Sequence, residues 1–197
     1  MKQRKLEMLL EEVQGFEEPE LELEQYQTPP LLAAEILHFA YMQGDLETSV
    51  QDLGCGTGIL AIGAKLLGAK FVVGYDADPK ALELAKKNAE KMGVEVEFVC
   101  SSIENISKNV QTTLMNPPFG ARVKGKDRPF LSAALRTSEV IYSIHNRGSL
   151  AFIQRFIKPA VITHSYVAKF PIKKTFEFHK KEMEVIEVEV CRLTTAP

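Results

Sequence analysis

Val50-Gln51-Asp52-Leu53-Gly54-Cys55-Gly56-Thr57-Gly58-Ile59 runs from a short strand, Val50 to Leu53, through a glycine-rich turn into a helical pattern that continues from Ile59 to Leu67. Glycine admits positive φ and lets a ligand lie against bare backbone. In an open α/β sheet a turn of this kind falls at the carboxyl ends of the strands, where ligands bind. The spacing is G-x-G-x-G. It departs from the G-x-G-x-x-G of dinucleotide sites and lacks the Lys-Ser/Thr pair of a phosphate loop.

The pattern repeats downstream. Lys70 to Tyr75 reads as a strand ending in Asp76, Pro79 to Met92 as a helix, Val94 to Cys100 as a third strand and Val110 to Met115 as a fourth. Phe130 to Ser138 and Leu150 to Ile157 read as helices around a strand from Val140 to Ile144. Ala160 to Pro171 and Glu184 to Leu193 are two closing strands with no helix-length gap between them. Strand–helix alternation predicts an α/β fold, a parallel sheet with helices on both faces. Two strands joined directly are predicted to be antiparallel, because a parallel return needs a crossover. Upstream, Lys2 to Val13 reads as an amphipathic helix, and seven glutamates follow between Glu11 and Glu24. Thr28-Pro29-Pro30 reads as a helix start with Thr28 as N-cap. Residues 1–48 are therefore expected to form a helical extension, and 49–197 the α/β domain.

The 197 residues are 45% hydrophobic and 25% charged, an ordinary globular composition that excludes a disordered or fibrous chain. Three widely separated cysteines without a C-x-x-C pair indicate neither a disulfide scaffold nor a structural zinc site. Free thiols fit a reducing cytoplasm. No apolar run approaches the length of a membrane span, and the N-terminus lacks the apolar core of a secretory signal. The net charge of −2 hides an asymmetry. Residues 1–119 carry 10 Lys/Arg against 19 Asp/Glu, whereas residues 120–181 carry 13 against 3. A local positive face is what phosphate binding requires, so the second block is a candidate nucleic-acid surface; random clustering on a solvated surface is the alternative.

Two further features carry chemistry. Asp76 ends the second strand, where a carboxylate can accept both hydroxyls of a ribose. Asn116-Pro117-Pro118-Phe119 ends the fourth strand. The Asn116 side-chain oxygen and the Pro117 carbonyl can each accept one hydrogen of a planar amino group, which frees the nitrogen lone pair for attack on a methyl. The prolines hold these acceptors in place in advance. Phe119 offers a face on which a flipped base can stack.

Asp52 to Gly58 together with Asp76 resembles motif I and the following acidic position of class I S-adenosylmethionine-dependent methyltransferases. Asn116-Pro117-Pro118-Phe119 resembles the [DNS]-P-P-[FYW] motif of amino-group methyltransferases, which include adenine-N6, guanine-N2 and protein glutamine-N5 enzymes. Glu24-Gln25-Tyr26-Gln27-Thr28, Asp52-Leu53-Gly54-Cys55-Gly56, Asn116-Pro117-Pro118-Phe119-Gly120 and Phe178-His179-Lys180-Lys181 occur in this order. With the overall length, they are similar to the methyltransferase-like protein 5 family of archaea and eukaryotes, over nearly the whole chain.

The resemblance implies a class I methyltransferase (Rossmann-like) fold, a seven-stranded, mostly parallel sheet with an antiparallel last strand. It implies methyl transfer from S-adenosyl-L-methionine to N6 of an adenosine in small-subunit ribosomal RNA. Positions Gln25, Thr28, Gly54, Thr57, Ile59 and Asp76 are then expected to line the cofactor, with Asp52, Gly56 and Gly58 of the same motif and part of the extension contributing. Asn116 is expected to be catalytic, with Pro117 and Phe119 beside it. Where the family often has an acidic residue facing the cofactor adenine, Ser101 and Ser102 stand here; a serine hydroxyl can still accept a hydrogen bond.

Arg122, Lys124, Lys126 and Arg128 form a basic loop after the tetrapeptide, and Lys173, Lys174, Lys180 and Lys181 add to the same set, all candidate RNA contacts. Phe152, Phe156 and Phe170 read as core. His38, His145 and His164 show no metal spacing. Val94-Glu95-Val96-Glu97-Phe98 alternates, and in class I methyltransferases this strand is a sheet edge. Its glutamates can block edge-to-edge aggregation. The related eukaryotic enzyme instead pairs here, by strand addition, with a small zinc-binding activator protein. Two rival functions share parts of the pattern. One is a protein glutamine-N5 methyltransferase, for which 48 residues before the first strand is short. The other is a non-catalytic RNA-binding subunit, in which the glycine turn or the tetrapeptide should be damaged.

Overall fold

The computed structural model describes residues 1–16, 24–119, 125–173 and 183–195, with Lys173 and Met183 as backbone. Seven strands form one sheet in the order β3-β2-β1-β4-β5-β7-β6. The strands are β1 (Ser49–Leu53), β2 (Phe71–Asp76), β3 (Glu97–Cys100), β4 (Val110–Met115), β5 (Ser138–Asn146), β6 (Val161–Lys173) and β7 (Met183–Thr194). The first five are mutually parallel, and β7 lies antiparallel between β5 and β6. The expected mostly parallel sheet with an antiparallel last strand is therefore present. β6 and β7 pair along nearly their whole length, as expected of strands separated by too few residues for a crossover.

The helices are α1 (Gln3–Leu10), α2 (Pro30–Met42), α3 (Ile59–Leu66), α4 (Pro79–Lys91), α5 (Arg128–Thr137) and α6 (Leu150–Phe156). Alternate strand residues point to opposite faces, so neighbours in β2 enter different cores. Val72 joins Leu6, Leu10, Leu37 and Ile62 on the face covered by α1, α2 and α3. Val73 joins Leu131, Ala134 and Ile153 on the face covered by α5 and α6. The extension is thus built into the first core: Leu6, Leu10, Ala33 and Leu37 are fully buried. A buried ion pair ties the end of this layer to the last strand, since Arg192 donates from Nε to Asp45 at 2.8 Å and Tyr142 adds a hydroxyl bond to the same carboxylate.

Three local expectations change. α1 stops at Leu10, short of Val13. β3 begins at Glu97 and not at Val94, because the Val94 N–H is spent closing the end of α4 on the Ala89 carbonyl. Thr28 does not cap α2; Pro29 occupies the cap position, Pro30 is the first helical residue, and no side chain caps the helix.

Candidate active site

The carboxyl ends of the parallel strands surround a cavity of about 340 Å³. Its floor is the turn after β1. Gly54, Gly56 and Gly58 take φ values of 68°, 51° and 82°, the left-handed region that glycine tolerates without strain. At Gly56 a side chain would also collide with the room's other occupant, since a Cβ there would lie 3.1 Å from Phe16 Cζ. Asp52 fixes the turn from below. It is 1% exposed, and its Oδ2 accepts from the Ala61 N–H at 3.0 Å. Burial pushes its carboxyl up to about 7, with the nearby Asp76 charge adding and the Ala61 bond opposing.

Asp76, at the end of β2, lines the cavity beside Gly54 and Gly56. Its Oδ2 accepts from Gly56 N–H at 2.8 Å and its Oδ1 from Asp78 N–H at 2.9 Å. Burial raises its pKa from the usual carboxylate value, against backbone hydrogen bonds from Asp78, Gly56 and Ala77. Asp78 caps α4, accepting from Lys80 N–H at 2.9 Å ahead of Pro79 at the first helical position. The other oxygen of Asp78 takes Gln25 Nε2–H at 2.8 Å. The helix cap therefore also holds the segment Glu24–Thr28 against the site.

Asn116 stands at the end of β4. Its Nδ2 donates to the Tyr26 carbonyl at 3.2 Å and to Thr28 Oγ1 at 3.1 Å. A carbonyl can only accept, so the amide nitrogen must face Tyr26 and the oxygen must face away. That oxygen, Asn116 Oδ1, is buried and has no hydrogen-bond partner among the described residues. An unpaired buried acceptor costs about 1–3 kcal/mol, and this one borders the cavity. It is a position prepared for a donor from outside the chain. Pro118 also lines the cavity, and Pro117 is buried behind it. Phe119 does not reach the lining. It rests edge-on against Phe170, 5.5 Å between centroids, and its carbonyl accepts from Asn146 Nδ2 at 2.8 Å.

Of the remaining expected cofactor residues, Gln25, Ser101 and Ser102 line the cavity. Thr28, Asp52, Thr57 and Ile59 border a small void that adjoins it and shares Gly54, Gly56 and Asn116 with it. Gly58 starts α3 and lines neither. Ser102 Oγ donates to Glu104, which borders the cavity from the single 3₁₀ turn Ile103–Asn105. A carboxylate is therefore present at this rim, two residues beyond Ser102. Glu24, Phe16, Tyr75 and Phe130 line the cavity as well. Glu24 is a buried acid in left-handed backbone, φ 49°. Nothing in residue spacing marks these as site residues; they come from four separate segments. Phe152 and Phe156 are half-buried against the second core and Phe170 is 1% exposed, as read from the sequence.

The basic set is placed in part. Lys126 lines the cavity. Arg128 opens α5 with its guanidinium 5.1 Å from the Phe152 ring centroid. Lys173 ends β6 as backbone, and Arg122, Lys124, Lys174, Lys180 and Lys181 lie outside the described residues. Among the described residues no group of His, Cys, Asp and Glu could hold a metal. Among the described residues no helix is long and apolar enough to cross a membrane.

The donor set at this cavity fits a nucleoside-bearing cofactor: left-handed glycines beside an acidic strand end, with room in front. Comparisons with known proteins agree. The ribosomal protein L11 methyltransferase (PrmA) family matches residues 35–116. The rRNA N(6)-adenosine-methyltransferase Mettl5 of Drosophila melanogaster is 38% identical, covering 98% of this chain and 96% of its own. An uncharacterised protein of Methanocaldococcus jannaschii is 41% identical over 98% of this chain and 94% of its own. Among solved structures, a provisionally assigned RNA methyltransferase from Pyrococcus horikoshii superposes with a TM-score of 0.93 at 37% identity, covering 100% of this chain and 99% of its own.

Proposed function

Since the chain belongs to the methyltransferase-like protein 5 family and is an S-adenosylmethionine-dependent methyltransferase, we propose that it methylates N6 of an adenosine in ribosomal RNA, that of the small subunit. The observation that carries this reading is the buried, unpartnered Asn116 Oδ1, turned away from Tyr26 at the wall of the cavity. Such an acceptor suits an amine that enters with the substrate.

S-adenosylmethionine, when bound, supplies an electrophilic methyl group. Gly54 and Gly56 leave the backbone bare for it, and Asp76 accepts from its ribose hydroxyls. Gln25, Thr57, Ile59, Ser101 and Ser102 complete the walls, with Asp52 and Gly58 shaping the turn. Asn116 Oδ1 and the Pro117 carbonyl accept the two hydrogens of the exocyclic amine. The nitrogen lone pair would thereby be released from the ring, free to take the methyl that S-adenosylmethionine would supply. The nitrogen becomes acidic only once it has taken the methyl, so its proton is lost to water without a strong base. Phe119 closes the tetrapeptide from its seat against Phe170. The basic set from Arg122 to Lys181 supplies phosphate contacts.

The division into a site-completing extension, 1–48, and a catalytic domain, 49–197, belongs to this reading. So does a cytoplasmic location, which the free thiols Cys55, Cys100 and Cys191 suit. β3 is the sheet edge opposite β6. Strand addition there by a small zinc-binding activator protein is the partner reading we carry.

The test is transfer of labelled methyl from S-adenosylmethionine to ribosomal RNA, followed by nucleoside analysis, for wild type and Asn116→Ala. Label in N6-methyladenosine, lost by about 10²–10³ in rate in the variant with cofactor binding retained, is the expected result. Label in protein overturns the RNA assignment, and substantial turnover by Asn116→Ala overturns the role of the tetrapeptide.

A further inference from the structure

Asn88, on α4, is 2% exposed and bonds the glycine turn and the N-terminal segment at once. Its Nδ2 donates to the Thr57 carbonyl and to the Gln14 carbonyl, each at 3.0 Å, and its Oδ1 accepts from the Gln14 N–H at 2.9 Å. The side-chain amide thus pairs with Gln14 as a neighbouring strand would. Lys91 adds a bond from Nζ to the Glu12 carbonyl at 2.9 Å. Two residues after Gln14 comes Phe16, held over Gly56. The ring lines the main cavity together with Asp76 and Asn116, and also the small void that adjoins it, again together with Asn116. Among the described residues Phe16 belongs to neither core and stands half-buried at the rim.

An amine held on Asn116 Oδ1 must receive its methyl from a donor that reaches the space beside Asn116. Phe16 is an aromatic wall of that space. The donor carries its methyl on a positively charged sulfonium, and the thioether left after transfer is neutral. The face of an aromatic ring attracts a cation through its quadrupole and has no such preference for a neutral sulfur. We propose that Phe16, held in place by Asn88, recognises the sulfonium charge and favours binding of the methyl donor over its demethylated product. The inference rests on the cofactor site proposed above.

The experiment is calorimetric binding of S-adenosylmethionine and S-adenosylhomocysteine, without RNA, to wild type, Phe16→Leu and Phe16→Tyr, each checked by thermal melting. Leucine keeps an apolar wall and removes the quadrupole. Phe16→Leu should weaken S-adenosylmethionine by roughly two- to thirtyfold, the range a cation–π contact spans, and leave S-adenosylhomocysteine nearly unchanged. Phe16→Tyr should keep the wild-type ratio of the two affinities. Equal weakening of both ligands in Phe16→Leu overturns the proposal and leaves the ring as a packing surface. Unchanged S-adenosylmethionine affinity overturns it too. A wild-type protein that binds neither ligand overturns the cofactor site itself, which is a different failure.

Discussion

Thr28→Val is a sharp perturbation because it changes one atom's chemistry and little volume. Thr28 is 3% exposed, and its hydroxyl accepts from Asn116 Nδ2 at 3.1 Å. Valine leaves one amide hydrogen of Asn116 buried with no acceptor, while the bond to the Tyr26 carbonyl at 3.2 Å remains. A buried donor left unpaired costs about 1–3 kcal/mol. The amide cannot recover by flipping, since that would set its oxygen against the Tyr26 carbonyl. It relieves the loss by swinging, and the swing moves Oδ1 off the position where the substrate amine is held. At 1.36 kcal/mol per decade, kcat should fall roughly tenfold to a hundredfold. Affinity for S-adenosylmethionine should change by less than about threefold, because the lost bond lies between two protein groups. Thr28→Ser should restore the rate. The assay pairs single-turnover methyl transfer to ribosomal RNA with calorimetric titration of the cofactor. A normal kcat in Thr28→Val refutes the argument that Thr28 orients Asn116. A normal kcat with weakened cofactor binding would make Thr28 a cofactor contact alone.

Three further outcomes follow from the same geometry. Asp76→Ala removes a charged acceptor and should weaken S-adenosylmethionine at least tenfold, since such a bond contributes roughly 1.5–3 kcal/mol; unchanged affinity by calorimetry would move the cofactor elsewhere. Asp52 is pushed up from 3.8 to about 7 by burial, so its contribution to stability is fully present below about pH 4 and is lost as pH rises through about 7. Asp52→Asn, which can still accept from Ala61, should flatten that decline in melting temperature, and an unaltered slope between these limits contradicts the shift. Neutralising Lys124, Lys126 and Arg128 together should flatten the dependence of log RNA affinity on log salt by about two to three units if all three touch phosphate; an identical slope sends the search to Lys173, Lys174, Lys180 and Lys181.

Edges of elements were legible where a residue can play only one part. β4 runs from Val110 to Met115, the bounds expected, and it stops there because Asn116-Pro117 can extend neither strand nor helix. α4 starts at Asp78-Pro79, a cap and a proline that allow no other reading. β3 was overread, since Val94 and Val96 look like strand residues and are used instead as half-buried packing against the first core. A strand exists only where a partner supplies the ladder, and that partner is a matter of tertiary structure. Thr28 shows the same limit. Its sequence context offers a helix cap, and the fold uses the hydroxyl on a side chain 88 residues away.

The amino-acid sequence by itself determined the α/β class, the strand that returns antiparallel, the glycine turn with its acidic partner and the Asn116 tetrapeptide. These depend on local rules: period, turn chemistry and short spacing along the chain. Only the tertiary structure decided that Asn116 is oriented by Tyr26 and Thr28, that Phe16 stands over Gly56, and that Glu104 reaches the rim beside Ser102. The contacts of Asn116 and Phe16 join segments far apart in the chain, and which atoms meet there depends on how helices and strands pack, a condition no single stretch of sequence contains.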